Sequence, residues 1–182
     1  MNTICYSNDQ IQHLEKLGKG DRSVVYKDPN RNKALKIYKK NSLCFLDDAL
    51  RFVKKKQLEE YDVIIPQGIV CVDGVNKGYY SEIVNGYTIQ YLESHTALPI
   101  RVSDFEKAYE RVHNNTVGIS QLGYQLWDLH EMNLMYDIDK KRIMFIDVDA
   151  WHKKRKSRKL ENRNLFELEA SIDLVKIKKH LM

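Results

Sequence analysis

Two β-type runs, Val24-Val25-Tyr26-Lys27 and Lys33-Ala34-Leu35-Lys36-Ile37-Tyr38, flank Asp28-Pro29-Asn30, and this arrangement constrains the fold more than any other feature of the chain. β-Branched and aromatic residues favour extended backbone, while Asp, Pro and Asn supply the turn, so the segment predicts a β-hairpin. A second hairpin is predicted over Gly68–Val72 and Gly78–Val84, joined through Asp73-Gly74. Between the hairpins, Leu43, Leu46, Leu50 and Val53 recur at three- and four-residue spacing, which predicts a helix over about 42–60. Downstream, Ser103-Asp104-Phe105-Glu106 has capping-box form and opens a helix running toward Asn114. Leu134–Tyr136 and Ile143–Ile146 read as short strands, and Leu165, Leu168, Ile172 and Val175 describe one closing amphipathic helix. Strands first and helices later predict an α+β fold with two lobes. The expected organisation is a single domain over 1–182, strand-rich to about residue 84 and helical from 85 on.

At 182 residues the chain suits one compact domain. A hydrophobic share of 43% and 11 tyrosines separate it from disordered sequences. Cys5, Cys44 and Cys71 lie far apart with no metal-ligand spacing, which reads as buried thiols in a reducing compartment. No run approaches the ~20 apolar residues of a membrane helix, and no signal-peptide pattern follows Met1. The chain reads as cytoplasmic, or as secreted by a route that hydropathy does not reveal. The net charge of +5 is uneven: residues 152–182 hold 10 Lys+Arg against 4 Asp+Glu, leaving 20 against 21 elsewhere. A general nucleic-acid binder is therefore excluded for the body of the chain, and nucleic acid remains open only for the tail.

Four segments carry chemistry. In Leu17-Gly18-Lys19-Gly20-Asp21-Arg22-Ser23, glycines let backbone amides approach a polyanion, although a plain strand-end turn has the same composition. β-Branched Val24 and Val25 continue as a strand where a dinucleotide-binding turn must open a helix, and no P-loop pattern occurs. Lys36 sits in an apolar strand: it either points to solvent or reaches phosphates held by the glycine turn. Asp128-Leu129-His130-Glu131-Met132-Asn133 and Phe145-Ile146-Asp147-Val148-Asp149 place an acid, an asparagine five residues on, and an acid ending an apolar strand. One acid suits deprotonation of a hydroxyl, while an amide oxygen and a second carboxylate suit magnesium; each alone also fits a turn or a helix cap.

Taken together and in this order, these segments resemble the protein-kinase superfamily over about residues 14–150. Gly18, Gly20 and Val25-Tyr26-Lys27 are similar to the glycine-rich loop, with Ser23 in place of its third glycine. Lys36, after Ala34, resembles the phosphate-pairing lysine of the third strand. Asp128 and Asn133 resemble the catalytic-loop pair, and Asp147 resembles the metal-binding aspartate. Ser81-Glu82-Ile83-Val84 resembles the adenine-binding hinge, with Ser81 as gatekeeper. The resemblance implies a minimal two-lobed fold with a strand-rich N-lobe and a reduced helical C-lobe. It also implies an ATP site formed by Gly18, Gly20, Ser23, Val25 and Ala34 with Lys36, Asp48, Glu82 and Val84. Mg²⁺ would be held by Asn133 and Asp147, and Asp128, Lys36 and His130 would act on the transferred phosphate. Asp48, in a segment similar to αC, is expected to pair with Lys36, with Glu59 as runner-up.

The chain also departs from the family. Leu126-Trp127 stands where His-Arg is usual, His130 replaces a lysine as in aminoglycoside and choline kinases, and Asp147-Val148-Asp149 has no glycine. Asp149 binds metal or caps a turn. The 33 residues after Asp149 contain no Ala-Pro-Glu and leave room for one helix and a basic stretch. Short bacterial kinase-like effectors and the small kinase of the KEOPS assembly look similar in this respect. The expected activity is ATP-dependent transfer to a protein hydroxyl. A small-molecule phosphotransferase and a partner-binding pseudokinase are the alternatives. His152–Lys159 holds six strong cations in eight residues, either a solvated segment or a docking site for an acidic or phosphate-bearing partner.

Overall fold

In the computed structural model, which describes residues 2–96 and 98–182, the chain is a mixed α+β protein; Met1 and Ala97 lie outside the described residues. It divides into two compact units, one of residues 1–56 and 64–83, the other of residues 57–63 and 84–182.

The first unit contains β1 (Asn2–Tyr6), α1 (Asn8–Gln12), β2 (Lys16–Lys19), β3 (Ser23–Asp28), β4 (Lys33–Tyr38), α2 (Cys44–Leu50), β5 (Gly68–Val72) and β6 (Val75–Glu82). Its sheet has the order β1-β5-β6-β4-β3-β2, antiparallel except for the parallel β1–β5 pair. Both hairpins form where turn chemistry predicts them. Asp28 explains the first turn: its Oδ1 accepts from the amides of Asn30 at 3.0 Å and Arg31 at 3.3 Å. Ile11 of α1 packs with Leu35, Val70, Val72 and Tyr80 on one sheet face. Leu46 and Ala49 of α2 pack with Tyr38 and Tyr79 on the other.

Three expectations for this unit are corrected. The helix expected over 42–60 is regular only over α2, because bonds from Phe52, Val53 and Lys55 back three residues tighten the chain. β1 was not foreseen. The cysteines are not all buried: Cys5 and Cys44 are exposed, and strand pairing sets Cys5 beside buried Cys71. A hydrogen bond with that thiol, together with local desolvation, raises the Cys5 pKa.

Asp28 also gives this unit an acid dependence. Tyr6 Oη donates to its Oδ2 at 2.6 Å and Arg31 Nη1 lies 3.1 Å from the same oxygen. Burial pushes the Asp28 carboxyl up, but the bonds from Tyr6, Arg31 and the turn amides outweigh it and hold the group below the ordinary value. Burial and then Asp28 push the Tyr6 phenol up to about 12. A carboxylate depressed in the folded state adds stability that is complete above its unfolded value of ~3.9 and is lost as pH falls. Urea melts between neutral and strongly acid pH should therefore show wild-type stability falling more steeply below about pH 4 than that of Asp28→Asn. Parallel curves would show that the carboxylate contributes nothing.

The second unit contains β7 (Gly86–Thr88), α3 (Ile89–Ser94), α4 (Val102–Gln121), β8 (Tyr124–Gln125), β9 (Leu134–Asp137), β10 (Arg142–Phe145), β11 (His152–Lys153), α5 (Arg158–Ser171) and α6 (Leu174–Leu181). One sheet runs β10-β9-β7 and a two-stranded ribbon pairs β11 with β8. Long α4 packs on β10 and α5, and Phe105, Ala108, Val112 and Ile119 form a buried stripe along it at i, i+3, i+7 and i+14. Among the described residues no helix is long and apolar enough to cross a membrane.

Here too the structure corrects the sequence reading. Ser103 is not a cap: α4 begins after Arg101, whose guanidinium grips Asp104 at 2.9 and 3.1 Å. That pairing, then Lys141, holds the Asp104 carboxyl below its ordinary range. The closing helix is two helices, because Ile172 is extended and Asp173 caps α6 by accepting from Lys176 N at 2.9 Å. Val175 is consequently 80% exposed. The basic stretch contributes β11, and residues 57–63, expected before the division, belong to this second unit.

Candidate active site

In the first unit, strand register decides which expected residues meet. Directly paired residues of adjacent antiparallel strands share a sheet face. Ser23 pairs with Tyr38, Val25 with Lys36, Lys36 with Tyr79, and Ala34 with Ser81. Ser23, Val25, Ala34, Lys36 and Ser81 therefore stand on one face, the face on which α2 packs. Lys36 is only 9% exposed, with Nζ 5.3 Å from the Tyr38 ring centroid and 5.8 Å from that of Tyr79. It does not point to solvent. Its ammonium is a compact, largely desolvated positive charge held against two aromatic rings.

Gly18 ends a bulged stretch of β2, and Gly20 N donates to Ser23 O at 2.9 Å, closing the turn into β3. Lys39 Nζ donates to Gly20 O at 3.0 Å and Lys39 N to Arg22 O at 2.8 Å, so the turn is held from β4's end. The chain has eight glycines, and six are required by the fold itself. Gly74 and Gly123 have left-handed φ, and a Cβ at Gly68, Gly78, Gly86 or Gly118 would strike a neighbour at 2.4 Å or less. Gly18 and Gly20 are the exceptions: neither has left-handed φ, and a Cβ would meet nothing within 4 Å at Gly18 and one carbonyl at 3.9 Å at Gly20, among the described residues. The open space above this turn is thus not filled by the protein's own packing, and it suits close approach of a phosphate chain.

The remaining expected nucleotide residues are placed differently. Asp48 is ion-paired with Arg51 of the next turn at 3.0 Å, so the expected pairing with Lys36 is not the one it makes. Glu59 lies in the 3-10 turn Lys56–Tyr61, at an exposed position that falls in the second unit. Glu82 pairs with Lys33 and so faces away from Lys36, while buried Ser81 donates to Glu82 O at 3.3 Å. Val84 follows β6 at the start of the second unit.

In the second unit the expected residues come together in one loop. Asp128 adopts left-handed backbone, φ 62°, a conformation that asparagine and aspartate tolerate better than most residues. This corner buries Leu129 and leaves the Asp128 side chain 46% exposed. Asn133 Nδ2 donates to Asp128 O at 2.8 Å and lies 3.0 Å from His130 Nε2. His130 Nε2 lies 3.9 Å from Asp128 Oδ1. Since the Asn133 amide nitrogen is committed to a carbonyl, its Oδ1 is directed elsewhere. Ile146 N donates to Asn133 O at 3.1 Å, which ties the loop to the end of β10 beside Asp147. Asp147 Oδ1 accepts from Asp149 N at 3.4 Å, and Asp149 is buried. An amide oxygen and a half-buried carboxylate on adjoining backbones are a donor set that fits Mg²⁺, which takes few protein oxygens and keeps the rest for phosphate and water. Among the described residues no group of three or more His, Cys, Asp or Glu gathers as a metal site.

Two residues that the sequence reading missed hold this loop. Asn164 of α5 is 0% exposed, donates to Ser120 Oγ and Tyr124 O, both at 2.8 Å, and accepts from Leu126 N at 3.1 Å. Ser171 donates to Leu129 O at 3.0 Å. The spacing 160, 164, 168, 171 was the available signal, because it puts Asn164 in phase with Leu160 and Leu168. A cleft of about 270 Å³ opens beside the loop, lined by Gln125–His130, Arg163 and Glu167. No protein-family model and no curated protein matches the chain.

Proposed function

We propose that the chain is a minimal kinase-like phosphotransferase that moves the terminal phosphate of ATP to a protein hydroxyl in the presence of Mg²⁺. The observation that carries this reading is the Asp128–Asn133 loop. There an exposed carboxylate stands on a fixed left-handed corner, joined through Asn133 and Ile146 N to the backbone beside Asp147. The first unit supports it with Gly18 and Gly20, which the fold does not require, and with buried Lys36. The strand run β2-β3-β4-β6-β5, with α2 following β4 and packed on the Lys36 face, agrees with a kinase N-lobe.

The acceptor hydroxyl oxygen attacks the γ-phosphorus and its proton passes to Asp128; the bond from phosphorus to the bridging oxygen breaks, and its electron pair leaves with ADP. Lys36 holds the non-reacting phosphates. Asn133 and Asp147 would hold Mg²⁺, which would supply neutralisation of phosphate charge. His130, within reach of both Asp128 and Asn133, keeps the amide oriented and faces the phosphate being transferred.

Mg-ATP is expected to raise the melting temperature. Free ligand at ~100 times Kd adds about 2.7 kcal/mol, which for a chain of this size is roughly 5–10 °C. The double substitution of Gly18 and Gly20 by alanine tests the site apart from the fold. It should leave the unliganded melting temperature unchanged or slightly higher, because the alanines have space and restrict the unfolded chain. It should weaken Mg-ATP binding at least ~10-fold, about 1.4 kcal/mol. Calorimetry without binding at millimolar Mg-ATP would overturn the reading. Binding with no transfer to proteins or to small hydroxyl compounds would leave a nucleotide-binding partner module.

A further inference from the structure

The cleft beside Asp128 has a chemical character of its own. Trp127 is an exposed indole, and the Arg163 guanidinium lies over it with Cζ 4.8 Å from the ring centroid. The other contact of Arg163 is to Glu167 Oε1 at 3.9 Å, beyond hydrogen-bonding distance, and among the described residues its guanidinium makes no hydrogen bond. A guanidinium held over an indole is placed by that contact while its fork of N–H donors stays available. That is the arrangement by which arginine recognises carboxylate or phosphate.

The basic stretch begins at the same cleft. His152 of β11 pairs with Gln125, which lines the cleft. Lys153 Nζ donates to Leu122 O at 2.6 Å and lies 3.9 Å from the Tyr124 ring centroid, and Lys154 N donates to Gly123 O at 2.8 Å. This stretch is docked along β8 rather than merely solvated. Beyond it, Arg158 and Lys159 occupy the first turn of α5, whose dipole disfavours cations there. Their charge works against the helix that carries them, so fold stability does not account for it.

We infer that this surface reads an acidic acceptor peptide: Arg163 on Trp127 binds a carboxylate close to the hydroxyl presented to Asp128, and the cations at 154, 155, 158 and 159 bind further carboxylates. The inference rests on the phosphotransfer reading and names its substrate class. A peptide fits better than a small molecule, because 270 Å³ is less than the usual ~300–1,000 Å³ of a small-molecule site, whereas the exposed cations continue over at most ~23 Å of chain. Arg163 is the specificity-determining residue. Asp128 remains the proton acceptor, and the bonds made and broken are those of the transfer step above.

The test uses the full chain without nucleotide and two fluorescent peptides, each with one serine, flanked in one case by glutamates and in the other by glutamines. Anisotropy should show the glutamate peptide binding at least ~10-fold tighter at low salt, with the preference shrinking as salt rises. Arg163→Gln should lose about 10-fold of that preference, the worth of a charge-assisted pair, and in turnover should raise KM with kcat unchanged. Joint replacement of Lys154, Arg155, Arg158 and Lys159 by glutamine should weaken the glutamate peptide further without lowering the melting temperature. Equal binding of the two peptides by the wild type would overturn the inference. So would tighter binding of a single-stranded oligonucleotide than of the glutamate peptide. Separately measured Mg-ATP binding keeps the two readings apart: glutamate-peptide preference without nucleotide binding would retain the anion-reading surface and remove phosphotransfer.

Discussion

Asp128→Asn is expected to bind Mg-ATP as the wild type does and to transfer phosphate roughly 10²–10⁴ times more slowly, the usual worth of a positioned acid–base group. Asparagine is the informative substitution because of the backbone at this position. With φ at 62°, alanine would add left-handed strain to the loss of the carboxylate, whereas asparagine accepts this conformation about as well as aspartate. The carbonyl that accepts from Asn133 Nδ2 is main-chain and survives the change. The loop therefore keeps its shape, and only basicity is lost. Single-turnover transfer measured with saturating Mg-ATP separates the chemical step from binding. Equal rates in the two proteins would remove Asp128 from the chemistry, and a lowered melting temperature would show that the carboxylate holds the loop instead.

The loop was legible in the sequence because it is local: Asp128, His130 and Asn133 lie within six residues, and a carbonyl and an amide hold them together. The hairpins were legible for the same reason, since Asp28 and Asp73-Gly74 carry their turn geometry in their own side chains and backbone. What escaped depends on residues far apart in the chain. β1 finds a parallel partner in β5 more than sixty residues away, as Cys5 beside Cys71 shows. β11 is hidden under lysines whose charge suggests solvent, and only its pairing with Tyr124–Gln125 makes it a strand. Asn164 was not singled out, and its burial follows from three partners between Ser120 and Leu126 that are about forty residues distant. Asp48 and Lys36 were matched by analogy. The competitor was local: Arg51 is one turn away on the same chain, so Asp48 reaches it without ordering any other element.

Asp62→Ala is expected to cost about 3 kcal/mol, at the lower end of the ~3–5 kcal/mol for breaking a buried ion pair. Asp62 is 3% exposed, and three side chains converge on it through four hydrogen bonds. Arg111 Nε donates to Oδ2 at 2.5 Å, Arg111 Nη2 to Oδ1 at 3.4 Å, Arg142 Nη1 to Oδ1 at 3.1 Å, and Asn115 Nδ2 to Oδ2 at 2.8 Å. The arginine side chains are 41% and 42% exposed, so both regain water when the carboxylate is gone. Buried Asn115 does not, and its stranded amide carries a desolvation cost of ~1–3 kcal/mol. Alanine at φ 58° adds left-handed strain of ~1 kcal/mol. At ~2–4 °C per kcal/mol for a chain of this length, the melting temperature should fall by roughly 6–12 °C. Asp62→Gly relieves the backbone but not the lost charge, so it should be the milder change by about 1 kcal/mol. A loss below about 0.5 kcal/mol for alanine, the range of an ordinary surface change, would show that the cluster holds nothing. The consequence reaches the site through the backbone. Asp62 O accepts from Phe145 N at 3.0 Å and Val63 bridges to Phe145, two residues before Asp147. Hydrogen exchange at the Phe145 amide should therefore quicken in Asp62→Ala more than at amides of α6, because the substitution loosens the strand end from which the Asp147 carboxylate is presented.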